Sequence, residues 1–127
     1  MAAKYARHEK FVIKQDEDKS ITVFKEYDNV KASLRDIAEQ LGFKVDPKWN
    51  TRQFGSKLVK EHGNQKGYVF VGNNGVYVRE SGSVNSYIRY ENTKEGLREI
   101  AKEAGFEVDP KWNTRQFGAK LMDFLDK

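Results

Sequence analysis

Hydrophobic and polar residues alternate along several short segments of the chain. In the first half, the apolar-rich segment 11–15 and the alternating segment 20–27 flank a charged turn, which predicts a β-hairpin. In the second half, segments 68–71, 76–79 and 83–90 are predicted strands, and Asn74-Gly75 is typical of a tight turn before the second of them. Each half is therefore predicted to begin with two or three strands.

Helical periodicity follows the strands in both halves. Apolar residues recur at i, i+3, i+4 and i+7, which predicts one amphipathic helix per half, and the stripes are Leu34, Ile37, Ala38, Leu41 and Leu97, Ile100, Ala101, Ala104. Gly42 and Gly105 are expected to end these helices. A second helix is predicted to start near Thr51 and again near Thr114, with Phe54 and Phe117 on the buried face.

The two halves repeat each other at a spacing of 63 positions. Residues 45–55 recur unchanged as residues 108–118. This predicts an α+β fold made by tandem duplication of a ββ(β)αα unit, with repeats 1–63 and 64–127 in a single domain. The connector at 62–67 is short, so we expect one antiparallel sheet packed against the helix pairs, with approximate twofold symmetry.

Helix-capping chemistry explains part of the repeated run. Asn50 is a good N-cap, and Gln53 stands where a capping box places its amide. Trp49 and Phe54 occupy the two positions of a hydrophobic staple. Gly55 lies inside the predicted helix, where glycine costs about 1 kcal/mol relative to alanine, so close packing against the first helix is expected.

The overall composition permits a polyanionic partner. The chain has a net charge of +4 and a pI near 9.2. It has no cysteine, which excludes disulfides and thiolate metal sites, and no apolar run approaches the roughly 18 residues of a membrane span. With no secretory signal at the start, a cytoplasmic location without membrane contact is the expectation.

Capping does not explain the basic residues of the repeated run. An exposed arginine in the first turn of a helix, preceded by a lysine, is typical of a phosphate site because free N–H groups and the helix dipole favour anions there. In the alternative interpretation, Arg52 merely pairs with a carboxylate such as Asp36 or Glu39. The candidate nucleic-acid-binding residues are Lys48, Thr51, Arg52, Gln53, Lys57, Lys111, Thr114, Arg115, Gln116 and Lys120.

The two helices of the first half resemble a helix-turn-helix. The first predicted helix reads Leu34-x-x-Ile37-Ala38-x-x-x-Gly42, and the second offers polar side chains of the types that read base edges. The connector 43–50 is longer than the usual turn of 3 to 4 residues and departs from the pattern. The resemblance implies DNA binding, with base contacts from Thr51, Gln53 and their copies.

Aromatic and basic residues also interleave on the predicted strands, at Tyr77-Val-Arg79 and at Tyr87-Ile-Arg-Tyr90. Such aromatic rings could stack on unpaired bases, although strand aromatics are more often core or cross-strand pairs.

The sequence carries no pattern of catalytic residues. His8 and His62 lack metal-ligand spacing, and no phosphate-cradling glycine loop or nucleophile elbow is present. The sequence therefore predicts a non-enzymatic nucleic-acid-binding protein without a cofactor, with DNA as the favoured target. The alternative is a protein interaction module, an adaptor or inhibitor, in which the repeated run is purely structural.

Overall fold

The computed structural model describes residues 3–64 and 66–126. Within these residues the chain is an α+β protein with six strands and four helices. Their order along the chain is β1 Lys4–His8, β2 Phe11–Gln15, β3 Ile21–Tyr27, α1 Val30–Leu41, α2 Thr51–His62, β4 Tyr68–Val71, β5 Asn74–Val78, β6 Val84–Arg89, α3 Thr93–Ala104 and α4 Thr114–Leu125. The strands form an antiparallel sheet in the order β1-β2-β3-β6-β5-β4.

The chain forms two compact units, and each unit combines strands from one half of the sequence with helices from the other half. Unit 1 holds the chain up to Lys25 and from Arg89 onward, whereas unit 2 holds Glu26–Ile88. Strands β1, β2 and most of β3 therefore belong with α3 and α4, and helices α1 and α2 belong with β4, β5 and most of β6. In each unit, the helices of one half of the sequence cover the strands of the other half.

The core of unit 2 combines the predicted helical stripe with the β4–β5 hairpin. Buried apolar side chains from two helices and two strands make up this core, namely Leu34, Ile37, Ala38, Phe54, Leu58, Val69 and Val76. Tyr68 pairs with Tyr77 and Val71 with Asn74, so the hairpin turn consists of two residues, Gly72 and Asn73.

The predicted turn at Asn74-Gly75 is wrong, because both residues lie inside β5. Gly72 supplies the left-handed conformation that the turn needs, with φ +61°. Asn74 is only 9% exposed. It accepts a hydrogen bond from the Ser33 hydroxyl at 3.3 Å and donates to the Asp36 carboxylate at 3.2 Å. These bonds to α1 hold Asn74 in the strand.

Unit 1 has an equivalent core under α3 and α4. This unit also contains one strand that the hydrophobic pattern did not predict. Phe11, Ile13 and Val23 pack with buried side chains from both helices. The additional strand is β1, which pairs with β2 through a two-residue turn at Glu9 and Lys10. Of the five β1 residues only Ala6 is buried, so the alternation that marks a strand is weak there.

Glycines end α1 and α3 as predicted, at Gly42 with φ +67° and Gly105 with φ +73°. The expectation for the helical glycine Gly55 is only half right. It does make a close approach, but to the sheet and not to α1, because an added Cβ would lie 2.6 Å from a methyl carbon of Val84. Gly118 in α4 faces Ile21 in the same way, at 2.5 Å.

No helix in the described part of the chain is long and apolar enough to cross a membrane.

Candidate nucleic-acid interface

The first turn of α2 is held by the predicted capping box. The Asn50 side-chain oxygen accepts from the Gln53 N–H at 2.9 Å, and the Gln53 side-chain oxygen accepts from the Asn50 N–H at 2.9 Å. Asn113 and Gln116 make the same two bonds before α4, at 2.9 and 3.0 Å respectively. The oxygen of each glutamine serves the cap, whereas its amide nitrogen takes no part in the capping box.

Aromatic rings fix how the chain enters both helices, as the staple predicts. The Trp49 and Phe54 ring centroids are 6.4 Å apart in unit 2, and those of Trp112 and Phe117 are 6.4 Å apart in unit 1. A lysine one turn along each helix covers the tryptophan, since the Lys57 Nζ lies 5.5 Å from the Trp49 centroid. The matching Lys120 to Trp112 distance is 5.6 Å. Each lysine thus has a cation–π partner.

Arg52 is exposed, but it is not free. Its Nη2 donates to the Ser81 carbonyl oxygen, in the turn between β5 and β6, at 2.5 Å. The Asp36 carboxylate accepts instead from Asn74, and no ion pair joins Arg52 to Asp36 or Glu39 in the part of the chain that is described. Because its partner is a neutral carbonyl, the positive charge of Arg52 is not compensated there.

Arg115 lies near the corresponding turn of unit 1, which carries the Asp18 carboxylate at the position equivalent to Ser81. The pKa of Asp18 lies below its ordinary value, first because the Ser20 side chain and N–H donate to the carboxylate and further because Arg115 lies nearby. The Ser20 Oγ to Asp18 Oδ1 distance is 2.6 Å. A shift of 63 positions relates Asp18 to Ser81, so the two arginines meet equivalent turns of different charge.

The remaining predicted residues lie at or near the same two helix ends. Lys48 and Lys111 are exposed, while Thr51 and Thr114 are half-buried. The backbone N–H groups of Thr51 and Arg52 have no hydrogen-bond partner among the described residues, because the capping box serves only the Asn50 and Gln53 N–H groups. Lys48, Thr51 and Arg52 therefore lie within four positions of one another in the chain at the start of α2, where the first N–H groups have no intrahelical acceptor.

A groove beside α2 contains residues that the sequence interpretation missed. It has a volume of about 780 Å³ and is lined by Gly42, Phe43, Lys44, Trp49, Lys57, Lys60 and Glu61. Gly42 turns the chain so that the Phe43 N–H donates to the Ala38 carbonyl at 2.9 Å, which places the Phe43 and Trp49 centroids 6.1 Å apart. Lys60, one helical turn beyond Lys57, could have been found from its spacing.

The equivalent groove in unit 1 is smaller and less basic. It has a volume of about 370 Å³ and is lined by Phe106, Trp112, Lys120, Asp123 and Phe124. Phe124 packs against Phe106 with ring centroids 5.0 Å apart, whereas the residue 63 positions earlier is Glu61. An aromatic ring of the chain itself thus occupies part of this groove, and an acid replaces Lys60.

The strand aromatics divide into buried and partly accessible rings. Tyr87 is 1% exposed, which agrees with the favoured interpretation that it is a core side chain, so its ring cannot stack on a base. Tyr77 is half-buried, its ring stacks on Tyr68 at 4.7 Å, and the Arg79 guanidinium lies 5.8 Å from its centroid. These residues line a second hollow of about 500 Å³ in unit 2, together with Lys66 and Glu80.

Helices α1 and α2 pack on each other in unit 2, as the helix-turn-helix resemblance implies. The segment between them is not a tight turn. Asp46 begins a separate turn, in which its main-chain carbonyl oxygen accepts from the Trp49 N–H at 3.0 Å. This turn orients Trp49 toward the helix, and the resemblance to a helix-turn-helix extends only to the helix pair.

Among the described residues, no group of three or more His, Asp or Glu side chains is placed to hold a metal ion. In comparisons with known proteins, no family model, curated protein or solved structure matches this chain.

Proposed function

We propose that this chain is a non-enzymatic nucleic-acid-binding protein that contacts phosphates through the N-terminal parts of α2 and α4, with DNA as the favoured target. The observation that carries the proposal is the exposed face of α2, where Arg52 in the first turn and Lys57 in the second lie in solvent, and Lys60 in the last turn extends the same face. No salt bridge neutralises any of the three among the described residues. Unpaired cations on one helix face attract a polyanion and release its counterions.

The helix end adds directional donors to this charge. The unpaired N–H groups of Thr51 and Arg52 point out of the first turn, where the helix dipole also favours an anion. Lys48 and Arg52 flank them. A phosphate at this point would accept from the backbone and from a guanidinium, and charge-assisted bonds of this kind are stronger than neutral ones.

The two copies of the site are not expected to contribute equally. Arg52 is bound to a neutral carbonyl, whereas Arg115 lies near the Asp18 carboxylate. Asp123 also replaces Lys60 on the exposed face of α4. We therefore assign the stronger phosphate contact to α2 and the weaker one to α4.

We further propose that the chain is a tandem duplication, on the strength of the identical residues 45–55 and 108–118 and their identical capping bonds. Two helix ends of the same design suit a ligand with repeating phosphates. Approximate twofold symmetry between them stays a prediction.

A second candidate function, binding of a protein partner, is favoured by exposed apolar side chains in unit 1. Phe124 is 40% exposed and Val108 is 37% exposed. An apolar partner surface would cover them, and the basic face of α2 would then have no role in that contact.

Fluorescence anisotropy with labelled single-stranded and duplex oligonucleotides tests the proposal. The variant Lys57→Gln/Lys60→Gln removes two charges from the α2 face, and Lys94→Gln/Lys102→Gln removes two from the exposed side of α3 as the matched control. We expect the first variant to lose most of the affinity and the control to retain it. Equal losses in both variants, or no binding by the wild type, would overturn the proposal.

A further inference from the structure

We propose that the groove beside α2 receives one unpaired base of a single-stranded nucleic acid, which stacks on Trp49 and Phe43 while its flanking phosphates meet the lysines of the rim. The proposal rests on the proposed function and adds to it the strandedness of the target and the residues that select it. Stacking on aromatic side chains inside a basic groove is how single strands are held without sequence readout.

The charge of the groove favours an anionic occupant. Lys44, Lys57 and Lys60 line it against the single acid Glu61, and Glu61 lies 3.6 Å from the His62 imidazole. An uncharged ligand would gain nothing from this excess of lysines, whereas a nucleotide brings a phosphate on each side of its base.

The walls of the groove favour a planar ring. The Phe43 and Trp49 rings are inclined by 34° to each other, with their centroids 6.1 Å apart. The side chain that lies over Trp49 is Lys57, which is flexible and exposed. A base can take the place of the Lys57 ammonium over the indole, and the ammonium can then turn to the adjacent phosphate.

The equivalent groove beside α4 in unit 1 already contains an aromatic side chain. In unit 1 the phenyl ring of Phe124 packs on Phe106 at 5.0 Å, and the groove that remains is about 370 Å³ against about 780 Å³ in unit 2. Glu61 takes the place of Phe124 in the unit 2 copy. The larger groove therefore lacks the phenyl ring that Phe124 supplies in unit 1, and the ring next to Phe43 is the His62 imidazole, which meets it edge-on with centroids 5.8 Å apart.

Binding to an abasic oligonucleotide separates base stacking from phosphate contact. Anisotropy of the wild-type protein is measured with oligothymidine and with an abasic strand of the same length. We expect oligothymidine to bind roughly tenfold more tightly, given what stacking of one base contributes. Equal affinities would overturn the inference and leave the proposed function standing. Failure of both strands to bind would overturn the inference, and it would overturn the proposed function as well only if duplex DNA also failed to bind.

Tryptophan fluorescence locates the stacked base. The chain has two tryptophans, so Trp112→Phe leaves Trp49 as the only reporter. We expect oligothymidine to quench its emission and the abasic strand to leave it unchanged. Quenching by an acidic peptide that contains phenylalanine, without quenching by oligothymidine, would instead identify the groove as a peptide site and overturn the inference.

The variant Glu61→Phe supplies the ring that the second copy already has. It should abolish the preference for oligothymidine over the abasic strand, because the phenyl group fills the groove, and leave abasic binding in place. Glu61→Gln is the matched control that removes the charge without filling the space, and it should retain the preference. Loss of the preference in both variants would contradict the stacked base.

Discussion

Arg52 donates from its guanidinium to the main-chain carbonyl of Ser81 at 2.5 Å, and this bond ties the first turn of α2 to the turn between β5 and β6. The residue that best fits a phosphate contact therefore also has a structural role. Lys57 and Lys60 have no such bond to a turn, which makes them the cleaner positions at which to test ligand binding.

Replacing Arg52 should lower stability as well as affinity. Arg52→Ala loses one exposed charge-assisted hydrogen bond, so the free energy of unfolding should fall by about 1 kcal/mol. Arg35→Ala, on the exposed side of α1, is the control and should change it by less than about 0.5 kcal/mol. Urea denaturation measures both, and an unchanged Arg52→Ala midpoint would mean that the Ser81 bond contributes nothing.

The Asp18 carboxylate should stabilise unit 1 only where it is ionised. Its pKa is lowered in the folded chain, so its contribution is present above the ordinary value of 3.8 and is lost as the pH falls through the folded value. Asp18→Asn should therefore be less stable than the wild type at neutral pH, and the difference should shrink in acid. Thermal denaturation of both proteins at neutral and at acidic pH measures the difference, and a difference that stays the same would contradict this role of Asp18.

The pKa of Asp18 should also report on Arg115. In Arg115→Gln it should rise slightly, because the Ser20 bonds remain and only the nearby cation is lost. Carboxyl NMR titration measures the change. No shift would mean that Arg115 does not act on Asp18.

Gly55→Ala should destabilise unit 2 although alanine is the better helix former. The added methyl meets Val84 at 2.6 Å, and overpacking of about 2 kcal/mol outweighs a gain in propensity of about 1 kcal/mol. Val84→Ala should cost less stability in the Gly55→Ala background than in the wild type. Ser56→Ala, an exposed neighbour on the same helix, is the control and should not lose stability.

The turn between β2 and β3 holds a lysine in a left-handed conformation. Lys19 has φ +71°, and the equivalent residue between β5 and β6 is Gly82 with φ +91°. Lys19→Gly should raise the free energy of unfolding by about 0.5 to 1 kcal/mol, because the conformational strain exceeds the entropy that glycine loses on folding. Gly82→Ala should lower the free energy of unfolding. Thermal denaturation measures both variants, and a less stable Lys19→Gly or a more stable Gly82→Ala would contradict this account of the turn.

Local chemistry made much of the fold predictable. The Asn50 cap, the Trp49 staple and the Gly42 helix end depend on residues within five positions of each other, so the sequence alone shows them. The strand at Lys4–His8 was missed because its partners bury only Ala6. The turn at Gly72 was misplaced because the bonds that hold Asn74 in β5 come from α1, 38 to 41 positions away.

The site was only partly predictable for the same reason. The repeated run identified Lys48 and Arg52, and Lys57 follows it by two positions. The Arg52 partner, however, lies 29 positions away in a turn that no spacing indicates. Phe43 and Lys60 belong to the groove only because α1 and α2 pack together. The sequence also could not show that the helices of each half pack on the strands of the other half. The hydrophobic pattern marks the buried face of a helix but does not specify which strands that face covers.

The salt dependence of binding to a single-stranded oligonucleotide tests the assignment of phosphate contacts to α2 most directly. Affinity is measured by anisotropy between roughly 50 and 200 mM salt, where each phosphate contact adds about 0.7 to the slope for single strands. We predict a steep slope for the wild type. For Lys57→Gln/Lys60→Gln the magnitude of the slope should fall by about 0.7 to 1.4, which corresponds to the loss of one to two phosphate contacts. A wild type that does not bind at low salt, or a slope that the variant leaves unchanged, would contradict it.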